Sequence, residues 1–333
     1  IYSRVMTVIS GISPPVKAEV IGTTAAKTTT FVKFTTFLTL FAAISGLISS
    51  FFGLKAGLDQ SRTQRERQLV IKSVVLFMSF AAFFVVGMFG LKYLALSGTE
   101  NAGVYAVLSQ GLVLAFVVSY LVLVSKLFAA MKNLRAQERI FEPQAFQREA
   151  DQPGAKQGKY ISSFSLFGVP LVHMQFGMPE KDDKPAFGWV AGGNHAHGLL
   201  FAWGGVAIAP VSVGIASVGI ITIGAVGVGV FSMGTVAIGA IAFGASAIGY
   251  KAYASLSSLG WAGAFSDSFS IAKEAAIGRI AYASHVNNER AAELVSLDLF
   301  NQTYLWALAA LAVLVVVPAI WYSSKVKQRM GNK

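Results

Sequence analysis

Cysteine is missing from the 333 residues, so disulfides, Cys-ligated zinc and a thiol nucleophile are excluded. Charge is scarce. Asp, Glu, Lys and Arg make up 13% of the chain against 54% hydrophobic residues, the composition of a membrane protein. Negative charge is scarcer still, with 16 acidic residues against 27 basic ones and a net charge of +11. The acidic residues sit mostly beside Lys or Arg in loops and read as solvated, so no carboxylate pair stands out for acid–base catalysis. The basic residues flank apolar runs and are not interleaved with aromatics on one polar surface. That makes anionic lipid headgroups the expected partner and leaves no direct nucleic-acid contact to expect. There is no G-x-S-x-G elbow, and Gly192-Gly193-Asn194 leads into no dinucleotide or Walker motif. No cofactor is expected, because none of the four histidines falls in an apolar span where it would ligate an embedded group.

No Asp, Glu, Lys or Arg falls anywhere between Leu199 and Gly249. On hydropathy alone this is a pair of membrane helices. The stretch reads in fives, however: PVSVG, IASVG, IITIG, AVGVG, VFSMG, TVAIG, AIAFG, ASAIG, with Gly at every fifth place from Gly214 to Gly249. The fourth place is always apolar, from Val213 to Ile248, and the third is small, from Ser212 to Ala247. LFAWG and GVAIA precede the run in frame and YKAYA follows it, extending the pattern over 200–254. A five-residue step advances a helix by about 140° net, which scatters the glycines around it, and each interior Gly costs about 1 kcal/mol relative to Ala. A GxxxG packing face needs a spacing of four.

A short β-solenoid accounts for the period better than a helical hairpin does. The expectation is that each pentad forms one face of a coil, with the fourth residue inward and Gly supplying a tight corner. Four faces would make a coil of about twenty residues, with coils stacked about 4.8 Å apart. The first and second places are also apolar, so Ile215, Ile220, Val230 and Phe231 are expected on a greasy outer wall that packs against a neighbour. The period resembles that of pentapeptide-repeat proteins, which form a square β-helix. This chain departs from them in lacking their polar residue and in placing Gly at the corner.

Around this stretch the expected fold class is an α+β membrane protein, with three N-terminal transmembrane helices and one C-terminal. Residues 1–33 read as a membrane-proximal segment, and the start at Ile1 in place of Met suggests processing or a missing upstream piece. Residues 34–140 read as a three-helix bundle with spans at Phe34–Leu54, Ser73–Leu91 and Ala102–Ser125. Residues 141–159 read as a linker and 160–199 as capping strands, with a polar tip at Glu180–Pro185. Residues 255–301 read as a helical cap, with a helix over Ser270–Ser284 that puts Ile271, Ala275, Ile277, Ile280 and Ala281 on one side. Residues 302–333 hold the last span, framed by Tyr304, Trp306, Trp321 and Tyr322, and a basic tail. The order of a Gly168-Val169-Pro170-Leu171-Val172-His173 strand, a polar tip and glycine every five residues resembles a group of bacterial membrane proteins in which this strand introduces a glycine-rich solenoid. That resemblance implies the cytoplasmic (inner) membrane of a bacterium and carries no activity with it. Residues 11–31 are similar to the linker of membrane-tailed extracytoplasmic-function sigma factors, which would make the chain part of a transcription regulator.

Three readings follow for function. The leading one is a non-catalytic, membrane-anchored scaffold or accessory subunit that packs through its solenoid against other subunits or copies of itself. The second is the sigma-factor-like regulator. The third is a metal-dependent enzyme at His195 and His197, which share one face of a strand, with His173 beside them. The count of basic residues leaves the side of the membrane that the solenoid faces open.

Overall fold

The structure, a computed structural model, describes residues 57–97, 101–150, 159–179 and 183–296, with Phe51, Leu54, Lys55 and Trp306 besides. Nearly all of the spans expected at 34–54 and 304–322, the segment 11–31 and part of the polar tip at 180–185 lie outside the described residues. The described residues fall into two compact units, one within Phe80–Ser119 and Ile220–Tyr304, the other within Gly46–Ser79 and Tyr120–Gly219. Each unit joins helical segments to solenoid segments.

Two long helices, α1 (Gln64–Ser97) and α2 (Ala102–Phe141), hold the second and third expected spans, and both are long and apolar enough to cross a membrane. α1 starts at Thr63, whose hydroxyl accepts the Glu66 N–H at 3.2 Å, while the Glu66 carboxylate accepts the Arg62 N–H at 2.6 Å. In the first unit the helices meet through Phe84 and Phe116, ring centroids 4.3 Å apart. There Ala102, Ala106, Ser109, Val113 and Phe116 form a buried stripe at helical spacing. Gly87 allows close approach, since a Cβ there would meet Leu112 at 3.0 Å, whereas Gly90 and Gly111 face open space. A short helix, α3 (Pro143–Ala150), follows where a linker is expected.

The sheet begins with β1 (Lys159–Ile161), β2 (Ser165–Leu166), β3 (Val169–Pro170) and β4 (Val172–Gln175). These are the expected capping strands. β2 and β3 form a hairpin across Phe167 and Gly168, both at positive φ (53° and 75°), which a tight two-residue turn needs. β4 pairs in parallel with β5 (Ala186–Ile208), and β5 with β6 (Val211–Ala272), the strand path that carries the pentads.

The pentads do build a β-solenoid, of about eight turns. Its coil differs from the expected one. Phe201 pairs with Val211, Gly204 with Gly214 and Ile208 with Val218, so one coil takes ten residues and two pentads, not twenty and four. The inward residue is the small third one: Ser212, Ser217, Thr222, Ser232, Ala237, Ala242 and Ala247 are fully or almost fully buried. Ala237, Ala242, Ala247 and Ala252 pack together, so the two pentads of a coil face each other across a thin core. A square coil has a wide axis that large side chains must fill. Alanine and serine suit a flattened coil whose walls nearly touch. The fourth place is inward on neither wall; it is buried at Val213 and Phe243 and exposed at Val218 and Val228.

The glycines serve the same close stacking. At Gly214 and Gly244 a Cβ would lie 2.5 Å from the carbonyl oxygen of the glycine ten residues earlier, and Gly219, Gly234, Gly239 and Gly249 would likewise meet a carbonyl oxygen one coil back. Among the pentad glycines only Gly204 has positive φ, 148°. The repeat therefore needs the missing Cβ, not a left-handed corner.

The solenoid also continues past residue 254. β6 runs to Ala272, β7 (Ala275–Tyr282) pairs with it in parallel, and β8 (His285–Val286) pairs with β7. The helix expected over 270–284 is strand, with Ile271, Ala275, Ile277, Ile280 and Ala281 buried in the stack. Its alanines favour helix locally, but a preformed ladder edge overrides propensity. The last coil is finished by Asn287, whose amide pairs with both the N–H and the C=O of Gly278 at 3.0 Å. Helix α4 (Glu289–Val295), capped by Asn288, follows, so a helical cap exists but is far shorter than expected.

Candidate functional site

The outer wall of the solenoid is the most unusual surface among the described residues. All four expected interaction residues lie on it: Ile215 is 45% exposed, Ile220 54%, Val230 47% and Phe231 43%. Ile208, Val218, Val228, Tyr250 and Trp261 join them, and were not singled out from the sequence. Ile208, Val218 and Val228 belong to one ladder of period ten and Tyr250 to another with Ile220 and Val230, a period that the five-residue repeat conceals. Between Leu199 and Gly249 every exposed residue is apolar.

The polar groups of the same coils point inward. Thr222 donates its hydroxyl to Ser232, ten residues on, at 3.0 Å, and Ser258 donates to Ser270 at 3.3 Å. Hydroxyls inside and aliphatics outside invert the arrangement of a protein folded in water.

The helices have the same character. Phe83, Val86, Phe89 and Tyr93 of α1 and Val118 of α2 are more than half exposed. Only 11% and 22% of the most apolar stretches of α1 and α2 are buried within the chain, unlike the core helix of a soluble protein.

Charge returns where the apolar stretches stop. In the first unit Lys92, the first charge after Ser73–Leu91, donates to Asp267 at 3.1 Å, and Arg279 lies 3.4 Å from the same carboxylate. Gln110 donates to the Ser257 hydroxyl at 2.7 Å, which itself lies 3.2 Å from Ser109. In the second unit His195 packs on Phe128 with ring centroids 4.8 Å apart. Burial, Lys132 and His197 hold its pKa below the usual histidine value.

A buried charge cluster ties the helix ends in the second unit. The Arg135 guanidinium lies 3.5 Å from the Glu66 carboxylate, with both side chains almost wholly inaccessible. Arg65 reaches Glu138 at 3.3 Å, and Arg135 and Arg139 lie over the Phe146 ring. The expectation that the acidic residues are solvated therefore fails at Glu66 and Glu138. The signal for the first was the Thr63-x-x-Glu66 capping pattern, and for the second the i, i+3 spacing from Arg135.

The histidines are placed as follows. His173 Nδ1 accepts the Phe187 N–H at 3.0 Å, leaving the ring proton on Nε2. Burial lowers the pKa of His173, the contact with Phe187 raises it, and Lys159 lowers it further. His195 and His197 are electrostatic neighbours. Among the described residues, no group of three or more His, Asp or Glu side chains converges to hold a metal ion. Compared with protein-family models, curated proteins and solved structures, the chain matches none.

Proposed function

We propose that this protein is a non-catalytic membrane scaffold or accessory subunit, held in the bacterial cytoplasmic membrane by its apolar helices. Its working surface is the apolar exterior that carries Ile215, Ile220, Val230 and Phe231. The observation behind this reading is the inverted polarity of the solenoid. Nothing enclosed by the coils is shaped for a substrate, because alanine and serine fill the thin core. The exterior, by contrast, is a continuous offer of apolar contact. Basic residues at the margins of the apolar runs suit anionic headgroups. Other membrane subunits, or further copies of the chain, are the partners such a surface fits.

The test is native-gel migration of a mild-detergent membrane extract, with mass spectrometry of every co-migrating protein. Co-migration with defined membrane-complex subunits, or a ladder of homo-oligomers, is the expected result. Migration as a monomer at every detergent concentration would remove the scaffold reading. The metal-dependent alternative predicts stoichiometric Zn, Fe or Mn in the purified protein.

A further inference from the structure

We infer that the solenoid is itself immersed in the bilayer, and that lipid acyl chains cover its outer wall. This rests on the membrane half of the proposed function alone, and it puts lipid, not a partner subunit, on the wall at Val228, Val230 and Phe231. A solenoid is ordinarily a water-soluble element, and an anchor of helices would ordinarily hold it outside the membrane.

Hydrocarbon makes three demands, and the solenoid meets each. The first is that every backbone polar group find a partner inside the protein, which is why helices and closed barrels are the usual spanning structures. A parallel stack satisfies this along its flanks. Pentad coils pair with the coil ten residues on, as Phe201 with Val211 and Val206 with Ala216, and later coils pair at steps of twelve, eleven and ten, as Gly263 with Ala275, Phe269 with Ile280 and Ala275 with His285. The C-terminal end is closed by the Asn287 amide, and α4 follows it.

The second demand is an apolar exterior of the right height. Between His197 and Lys251, the stretch Leu199–Gly249, in which every exposed residue is apolar, amounts to about five ten-residue coils. At about 4.8 Å per coil that is about 24 Å, close to the band of about 25 Å on membrane β-barrels. In α1 the charge-free run Ser73–Leu91 is about 28 Å of helix, against a hydrocarbon core of about 30 Å.

The third demand is that charge sit at the margins of both elements together. Lys92, where the charge-free run of α1 ends, pairs with Asp267, the first acidic residue after the apolar coils. In the other unit His195, just before those coils, lies against Phe128, just after the charge-free run of α2. The two kinds of element share a margin in each unit.

Water would select the opposite pattern. The hydroxyls of Ser212, Ser217, Thr222 and Ser232 would face out, and Val228, Val230 and Phe231 would face in. A protein partner over the wall also fits its chemistry, but neither the height of the apolar band nor the shared margins follow from that.

The chain's lack of cysteine makes the test direct. Val228→Cys, Val230→Cys and Phe231→Cys carry a nitroxide on the wall, Val86→Cys carries one on α1, Ser232→Cys points inward and Lys273→Cys lies beyond the band. Each is made in the full chain and reconstituted into phosphatidylcholine–phosphatidylglycerol vesicles. Relaxation of the label is measured with oxygen, which concentrates in hydrocarbon, and with a water-soluble nickel chelate. Immersion predicts that all three wall positions respond to oxygen several-fold more than to nickel, as Val86→Cys does. Lys273→Cys should show the reverse and Ser232→Cys neither. Strong nickel relaxation on the wall overturns immersion, and with oxygen relaxation at Val86→Cys it leaves the helical anchor standing. Weak relaxation by both agents on the wall also overturns it, and means that protein covers the wall, which keeps the scaffold. Three wall positions guard against one label that disturbs folding.

Discussion

Replacing Gly244 by Ala tests the ten-residue coil at one atom. The added Cβ would lie 2.5 Å from the Gly234 oxygen and 2.8 Å from the Ser246 oxygen. Both are backbone atoms held in the stack, and neither can rotate away. Restoring an ordinary contact of about 3.4 Å requires a retreat of about 0.9 Å, which stretches a ladder bond from about 2.9 Å to about 3.8 Å, beyond hydrogen-bonding range. Two such bonds left unmade in a buried site, at about 1–3 kcal/mol each, give an expected loss of about 2–5 kcal/mol. Gly227→Ala is the graded comparison. Its Cβ would meet the Ser232 hydroxyl at 2.6 Å and that of Thr222 at 3.0 Å, side-chain atoms that can yield, so about 1 kcal/mol or less is expected. Gly90→Ala in α1 meets open space and should change stability by under about 1 kcal/mol. Urea unfolding in detergent micelles, followed by circular dichroism near 218 nm, measures all three. A Gly244→Ala protein within about 0.5 kcal/mol of the parent would refute stacking at ten residues, whatever the other two variants do.

Further outcomes are expected from the same measurement. Arg135→Ala should cost about 3–5 kcal/mol because it strands buried Glu66, and Arg65→Ala about 1–3 kcal/mol because, although Arg65 is 72% exposed, its loss strands the Glu138 carboxylate, whose side chain is 1% accessible. Ser257→Ala removes the hydroxyl that accepts from Gln110 inside the first unit, and about 1–2 kcal/mol of destabilisation should follow. His195 has a folded pKa below its unfolded value of about 6.5, chiefly through burial, so the unfolded state binds the proton more readily. Its contribution is complete above about pH 6.5 and is lost as pH falls through that value. Between pH 7.5 and 5.5 a His195→Asn protein should therefore lose less stability than the parent, and equal losses would count against a lowered pKa at this half-buried imidazole.

Much of this architecture was legible before any coordinates. Glycine at every fifth place argued against a helix and for stacked coils, and the apolar first and second places put Ile220, Val230 and Phe231 outside. The number of pentads per coil was harder to read, since a period of five is compatible with two faces or four. The clue lay in residue size. Ser212, Thr222 and Ala242 are too small to fill the axis of a square coil, but taking the larger fourth residue as the inward one hid that. At Ser270–Ser284 the local alanine content argued for helix, and the open edge of the preceding coil, which no local window contains, decided for strand. The buried Glu66 and Glu138 were missed for a related reason. They lie 72 residues apart in the chain, and only the helix pairing brings both to Arg135 and Arg65. The histidines at 195 and 197 were placed correctly on one strand, but a converging set of ligands is a property of the third dimension that spacing cannot supply.

A coil of two unlike pentads makes the length of this protein a quantised variable. Inserting or deleting five residues exchanges the two walls in every coil downstream, so residues shaped for the covered side, such as Phe243 and Tyr253, would swap places with those shaped for the open side. Ten residues preserve the phase. Change in this gene would therefore be tolerated in steps of thirty nucleotides, each adding or removing about 4.8 Å of height, and two or three fewer or additional residues in each helix would keep pace. Related chains living in thinner or thicker membranes would differ by whole coils. Half coils should be missing from their lengths.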